Sequence, residues 1–333
     1  MNLRNRFRDH VRSVEPHVRS DWEQSSHKGV HMVTSRRYAN DYCAIMDFLR
    51  EVYLQTRTQQ CWLPQRWEYA EHAVNHINMA RGEDPWQRSI GIWEEHGRIV
   101  GISHKEEGHN AFLQIRPGHD SLTDEMLDFA EAVIAIQTAD EKRRLNVWSR
   151  HSDTHRNERL VSRGYTRGDD GNYYNAQPVR QVFAPRLPDG YSFVSAAEER
   201  DALRRVNAAH AGFHPEEEAL REVPEHFAKM EQAPLFRPDL ELMTRHQDGT
   251  LTSFCVVWYE EVTKTAMFEP VATHPNHRRL GLGKAMLLEG LRRLQSMGAE
   301  RAFVESYGDH RKAFYNSAGF QTYDKDWYWT KEL

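Results

Sequence analysis

Two hydrophobic periods, near 2 and near 3.6 residues, take turns along this chain, and the order of their alternation occurs twice. Positions 33–38 read as a short β segment, and 39–55 as a helix in which Ile45, Phe48, Leu49 and Val52 recur at helical spacing. A second helical stretch surrounds 67–77. Strand-like runs at 89–93 and 99–104 flank Gly97 and polar residues, which is a hairpin signal. A strand at 111–115 is broken by Pro117-Gly118, and Ser121 with Asp124 resembles a capping box opening a helix through 136. A strand at 145–149, a helix at 154–163 ended by Gly164, and a short strand at Tyr173-Tyr174 complete the first series.

The segment 179–188 carries Pro185 and Pro188 just ahead of Gly190 and reads as a linker. The order then returns: a strand at 191–195, a helix at 198–208, a Glu- and Pro-punctuated helical region at 215–232, and strands at 240–244, 251–259 and 265–273. A helix at 283–297 has an apolar stripe of Leu287, Leu288, Leu291 and Leu294, with Gly298 placed as its C-cap. A strand at 301–306, a helix at 311–318 and an aromatic-rich strand at 320–330 follow. The interval of about 145 residues is too long for a solenoid repeat, so duplication of one α+β domain is the simpler reading. The expected plan is an extension at 1–32, a first domain at 33–178, the linker, and a second domain at 189–333.

Composition narrows the function. The 333 residues, 39% of them apolar, suffice for two separate cores. Cys43, Cys61 and Cys255 lie far apart with no C-x-x-C pair, which predicts no disulfide framework and a reducing, cytoplasmic setting. No apolar run approaches the ~18 residues of a membrane span, and no secretory segment is indicated. The net charge of −5 conceals a basic start, with eight Lys/Arg against four Asp/Glu in 1–37. The rest is mildly acidic, so nucleic-acid binding is disfavoured. The pairs His210/His214 and His151/His155 have ligand spacing but no third ligand and no H-E-x-x-H context, so no metal site is expected.

The chemistry concentrates in Val271, Ala272, Thr273 and the turn that follows, Arg278-Arg279-Leu280-Gly281-Leu282-Gly283-Lys284. A strand ends, a basic turn follows, and two glycines introduce a long helix. Its free N–H groups and dipole make an anion cradle, to which Arg278, Arg279 and Lys284 add charge. The spacing is neither G-x-x-x-x-G-K-[ST] nor G-x-G-x-x-G, which disfavours nucleotide triphosphatase and dinucleotide folds.

This element resembles the [Q/R]-x-x-G-x-[G/A] pyrophosphate loop of the GNAT superfamily of acyl-CoA-dependent N-acetyltransferases. The later signature of that family, a helix with tyrosine followed by G-F, is matched by Ala313-Phe314-Tyr315-Asn316-Ser317-Ala318-Gly319-Phe320. The resemblance implies two tandem GNAT-like domains, each a mixed, mostly antiparallel twisted sheet flanked by helices. It implies acetyl-CoA held at residues 271–273 and 278–284. It also implies a strand splayed near Pro270 whose backbone at Val271 and Thr273 pairs with the pantetheine amides. Tyr315 takes the place of the acid that serves the departing thiolate, and Glu269 that of a base for the amine. Many members carry Asn seven residues before the tyrosine, where Gly308 stands here.

The first copy departs further. Its loop reads Arg116-Pro117-Gly118-His119-Asp120-Ser121, with an acid where phosphate would sit, and Leu160 stands opposite Tyr315. It is therefore expected to be a degenerate, structural GNAT copy. The expected activity is acetyl transfer to a primary amine, small molecule or peptide, by direct attack in a ternary complex. The competing reading is a non-catalytic acyl-CoA-binding sensor, and the sequence is compatible with a homodimer without fixing the oligomeric state. A cap at 209–236, rich in acids from Glu216 to Glu231, favours a cationic acceptor.

Overall fold

The structure is a computed structural model that describes residues 33–138, 141–180 and 183–333; the basic extension falls outside them. Along the chain run β1 (Val33–Arg37), α1 (Tyr42–Thr56), α2 (Pro64–Tyr69) continued through a wider turn into α3 (Asn75–Ala80), β2 (Gly91–Glu95), β3 (Arg98–Lys105), β4 (Asn110–Ile115), α4 (Thr123–Val133) and β5 (Ile136–Gln137). Next come β6 (Arg143–Arg150), α5 (Thr154–Ser162), β7 (Thr166–Arg167), β8 (Asn172–Pro178), β9 (Tyr191–Ser195), α6 (Ala202–Phe213), α7 (Glu225–Met230) and β10 (Glu241–His246). The series closes with β11 (Leu251–Glu260), β12 (Thr265–Thr273), α8 (Leu282–Ser296), β13 (Arg301–Tyr307), α9 (Gly308–Ser317) and β14 (Gln321–Glu332).

These elements form two compact units, and neither is one continuous stretch of chain. Of the described residues, the first comprises those from Val33 to Cys61, Arg81–Asp169 and Trp327–Leu333; the second comprises Trp62–Ala80 and Asp170–Asp326. The expected boundaries at 178 and 189 follow the sequence repeat, whereas packing divides the chain elsewhere. Helices α2 and α3, and strand β8 with Tyr173 and Tyr174, all belong to the second unit.

The first unit is a sheet in the order β1-β2-β3-β4-β6, antiparallel except where β4 meets β6. The β2–β3 hairpin turns on His96 (φ 52°) and Gly97 (φ 74°), the left-handed pair that a two-residue turn requires. Its core joins Trp93, Leu113, Met126, Phe129, Leu145, Val147, Leu160 and Trp329. Ser121 does not cap α4 as the sequence suggested. It lies in a short 3₁₀ turn, and the Thr123 hydroxyl, one turn on, donates to the Asp120 carbonyl at 2.7 Å.

The second unit orders its strands β14-β8-β13-β12-β11-β10-β9, again with one parallel pair, β12 and β13. Strand β8 is held between β13 and β14 by Asn175. Its amide donates to Val304 O at 3.2 Å and Ser306 Oγ at 3.0 Å and accepts from Thr322 Oγ1 at 2.6 Å. Helix α8 buries the expected stripe Leu287, Leu288, Leu291 and Leu294 against the sheet, about 1.5–3 kcal/mol for each side chain. Gly290 lets it come close, because a Cβ there would meet the Phe268 ring at 2.7 Å. Gly298 (φ 79°) ends the helix in the expected left-handed conformation. The region 215–232 is less helical than its composition suggests, since only α7 forms there.

On the far face, Arg205 of α6 is buried and donates to Glu241 at 2.6 Å and to Glu231. Burial pushes the Glu241 carboxyl up to about 7, against the pull of Arg205. Removing the cation strands that carboxylate. At pH 8, Arg205→Met is expected to lower unfolding free energy by about 3 kcal/mol or more. Urea unfolding checks this, and a loss below about 1 kcal/mol would mean that the pair is not what holds α6 to the sheet.

Candidate active site

The site begins with a failure of strand pairing. β12 and β13 run parallel only from Thr265/Arg301 to Met267/Phe303, and the ladder stops there. On its other side β12 pairs with β11, but the register shifts so that Val256 spans two residues, Glu269 and Pro270. Proline can donate no ladder bond, and its place in the bulge is where such a residue is tolerated. Beyond the bulge Val271, Ala272 and Thr273 pair with Cys255, Phe254 and Ser253, leaving the edge toward β13 open. The opening expected near Pro270 is present.

The turn after β12 places its charges unevenly. Arg278 is not poised as a free cation: its side chain donates to Thr273 O at 3.1 Å and Gly212 O at 2.9 Å, tying the loop to α6. Arg279 is exposed in the left-handed region (φ 67°), and Leu280 and Lys284 are also exposed. Gly281 (φ 81°) is the N-cap of α8, where a side chain would meet no neighbour but would strain the backbone. Gly283 is buried for a different reason. A Cβ there would lie 3.0 Å from the Phe314 ring and 3.3 Å from Thr273 Oγ1, so the helix start sits directly against α9 and β12. Leu282 is buried beneath it. The histidines of this turn are not simply solvated. His277 Nδ1 and Tyr191 Oη hydrogen-bond at 2.8 Å, and burial, then His274 and His246, hold the His277 imidazole below its ordinary range.

Tyr315 lies on α9, 8% exposed, with its ring against Phe314 and Phe320. Burial, then Cys255 and Glu269, push its phenol above the ordinary range, so it stays protonated at neutral pH. Gly308 opens α9 at φ 70°, a left-handed position that glycine adopts without strain. Glu269 sits on the bulge with a third of its side chain exposed, and its backbone carbonyl accepts from Trp258 Nε1 at 2.6 Å. Burial raises its carboxyl, Arg66 opposes, and Glu305 adds to the rise. Cys255 is buried with its thiol pushed up by burial alone, which makes it a poor nucleophile. Of the expected acidic cap, Glu216, Glu217, Glu218, Glu222 and Glu225 are exposed, whereas Glu231 is taken by Arg205.

Sequence reasoning missed Arg66, which reaches Glu269 from α2, and Gly212, whose missing side chain lets α6 rest on Ala272. The corresponding opening in the first unit is engaged internally. β4 meets β6 only at Asn110/Asn146 and Ala111/Val147, and Ile115 O accepts from Cys61 Sγ at 3.4 Å. Arg116 donates to Ile99 O and Glu51, and Leu160 is fully buried. No group of three or more His, Cys, Asp or Glu side chains suited to a metal ion occurs among the described residues.

Residues 203–320 match the model of the acetyltransferase (GNAT) family. The second unit therefore carries a GNAT acetyltransferase domain over those residues, and the chain is an acyltransferase. Its fold is shared with a GCN5-related N-acetyltransferase from Sphaerobacter thermophilus (TM-score 0.62, 15% identity, 90% of this chain and 95% of that one). It is shared too with a tandem GNAT protein from the clavulanic acid biosynthesis pathway (TM-score 0.59, 18% identity, 90% and 98%). In sequence the chain is similar to the mycothiol acetyltransferase of Saccharomonospora viridis, 28% identical over 265 residues, 68% of this chain and 78% of that protein. It is also similar to the mycothiol acetyltransferase of Streptomyces coelicolor, 30% identical over 146 residues, 43% and 46%, so that match spans less than half of either protein.

A direct test of the helix start is Gly283→Asp, which adds both bulk against Phe314 and a negative charge. Coenzyme A affinity is expected to fall at least tenfold, about 1.4 kcal/mol. Titration calorimetry measures it, with circular dichroism as the control for folding. An unchanged dissociation constant would remove the loop from the binding site.

Proposed function

We propose that the second unit holds acetyl-CoA and transfers its acetyl group to a primary amine by direct attack in a ternary complex. The observation that carries this reading is the opening between β12 and β13, with Glu269 on its wall, Tyr315 on the adjoining helix and the N-terminus of α8 at its end. The fit is good on three counts. The open edge of 271–273 offers amide and carbonyl groups of the spacing an extended chain can pair with. The start of α8 offers N–H groups and positive dipole to a pyrophosphate, flanked by Arg279 and Lys284. Arg278, exposed beside them, ties the loop to Thr273 and Gly212 and adds positive charge at the helix start.

Bound there, acetyl-CoA supplies an activated acyl group as a thioester. The chain then has two protons to manage. An ammonium near pKa 10 must lose one before it can attack, and the partly exposed Glu269 carboxylate is placed to accept it. As the amine nitrogen bonds to the carbonyl carbon, the carbon–sulfur bond breaks and charge collects on sulfur. The protonated Tyr315 phenol can donate to that sulfur, so that coenzyme A leaves as the thiol, and the second proton that the nitrogen sheds as the amide forms restores the phenol. Its raised pKa keeps the proton available across the neutral range.

For the acceptor, the likeness to mycothiol acetyltransferases over about two thirds of the chain favours the unacetylated precursor of mycothiol. The exposed glutamates from Glu216 to Glu225 favour an acceptor that arrives as a cation. Mass spectrometry of products from acetyl-CoA with that precursor, and with spermidine as a second probe, decides between a specific acceptor and any polyamine. Absence of turnover with either would weigh against both.

Binding is expected at one site per chain, because the first unit engages its own loop with Glu51, Ile99 and Cys61. Calorimetry returning two equivalent sites would contradict this. Tyr315→Phe retains the ring and removes the donor. It is expected to lower kcat about 10²-fold with the acetyl-CoA dissociation constant little changed. Near-normal turnover with chemistry rate-limiting would make Tyr315 a packing residue.

A further inference from the structure

We propose that Arg66 is a positioning residue for the transfer reaction, holding the Glu269 carboxylate at the opening between β12 and β13 from a segment outside residues 203–320. The inference deepens the reading of Glu269 as proton acceptor and rests on it.

The placement of Arg66 is over-determined. Gln65, fully buried, donates from Nε2 to Thr265 O at 2.7 Å and Thr265 Oγ1 at 2.8 Å, which clamps α2 to the start of β12. Glu68 accepts from Leu235 N at 2.8 Å on the next turn. Tyr69 packs its ring 6.0 Å from Trp258, the residue that donates to the Glu269 carbonyl. Between these anchors Arg66, only 8% exposed, lies over the Trp62 ring at 4.8 Å and the Tyr69 ring at 5.8 Å. Its Nε is 3.7 Å from Glu269 Oε2. Two aromatic faces and a clamped helix leave the guanidinium little freedom, so its charge is held beside Glu269.

The distance matters chemically. Arg36 grips Asp41 at 2.8 Å, and that bond holds the Asp41 carboxyl below its ordinary range, making it a reluctant base. At 3.7 Å, the cation favours the charged carboxylate without the short contact that would hold its oxygens in a fork. The groups facing Glu269 are Arg66 from α2, Glu305 from β13 and Tyr315 from α9. Burial and Glu305 both raise the carboxyl, and Arg66 is the cation set against them. Without it the carboxyl rises further, so it is protonated over more of the acidic range and unable to accept a proton there.

The test compares wild type, Arg66→Met, Arg66→Gln, Arg66→Lys and Glu269→Gln, with unacetylated mycothiol precursor as acceptor and spermidine as the second probe. The readout is the pH profile of kcat/KM. Arg66→Met is expected to move the acidic limb upward by about one pH unit, a tenfold loss at fixed pH on that limb. The rate at high pH should recover, acetyl-CoA affinity should stay within twofold, and Arg66→Lys should restore most of the shift. Arg66→Gln serves the same comparison if the Met variant does not fold. An unmoved limb in a folded neutral variant, with Glu269→Gln inactive, overturns the role of Arg66 alone. Full turnover in Glu269→Gln overturns the base reading itself, and the role of Arg66 with it.

Discussion

The parallel ladder between β12 and β13 stops after three residue pairs, and the rest of the site follows from that interruption. A sheet that continued would spend the backbone groups of 271–273 on β13. The bulge at Glu269-Pro270 turns the strand away, exposes its edge and brings the carboxylate onto the wall of the opening. The buried helix α8, driven against the sheet by its leucine stripe, then sets its N-terminus at the far end. Close approach is the second half of the same constraint. At Gly212 and Gly290 a methyl group would collide with Ala272 and the Phe268 ring, and at Gly283 it would crowd the Phe314 ring and Thr273. The site is thus a gap in hydrogen bonding bounded by close backbone approaches.

Much of this was legible in the residues. The leucine stripe, Gly298, Pro270 and the glycine pair each carry a local physical rule, and local rules survive folding. The strands of the second half fell within a residue or two of their expected bounds because alternation is strong there. Legibility failed where long-range partners decide. The charge of Arg278 is visible in sequence, but its two carbonyl partners, Thr273 and Gly212, are brought to it only by α6 crossing β12. Glu231 looked like part of an acidic cap until Arg205 claimed it. The Ser121 spacing resembled a cap, but a 3₁₀ turn intervened.

The division of the chain into units was the least legible feature. Repeat periodicity marks where similar segments begin, not where they pack. A strand such as β8 joins whichever edge offers partners, and Asn175 finds them in Val304, Ser306 and Thr322. Likewise the Gln65 amide nitrogen and the Glu68 carboxylate, on polar residues fully buried, find Thr265 and Leu235 in the second unit. Buried polar groups are expensive without partners, so these bonds act as addresses that apolar patterning does not carry.

The lodging of α2, α3 and β8 in the second unit bears on how such a chain can change over evolutionary time. A crossover at the proline-containing stretch near 185 would look harmless in the sequence, since it falls between repeats. It would nevertheless deliver a catalytic half lacking the strand between β13 and β14, the helix pinned to Thr265 and the guanidinium beside Glu269. Residues from before the linker are thus built into the second unit, which no cut at the linker would leave whole.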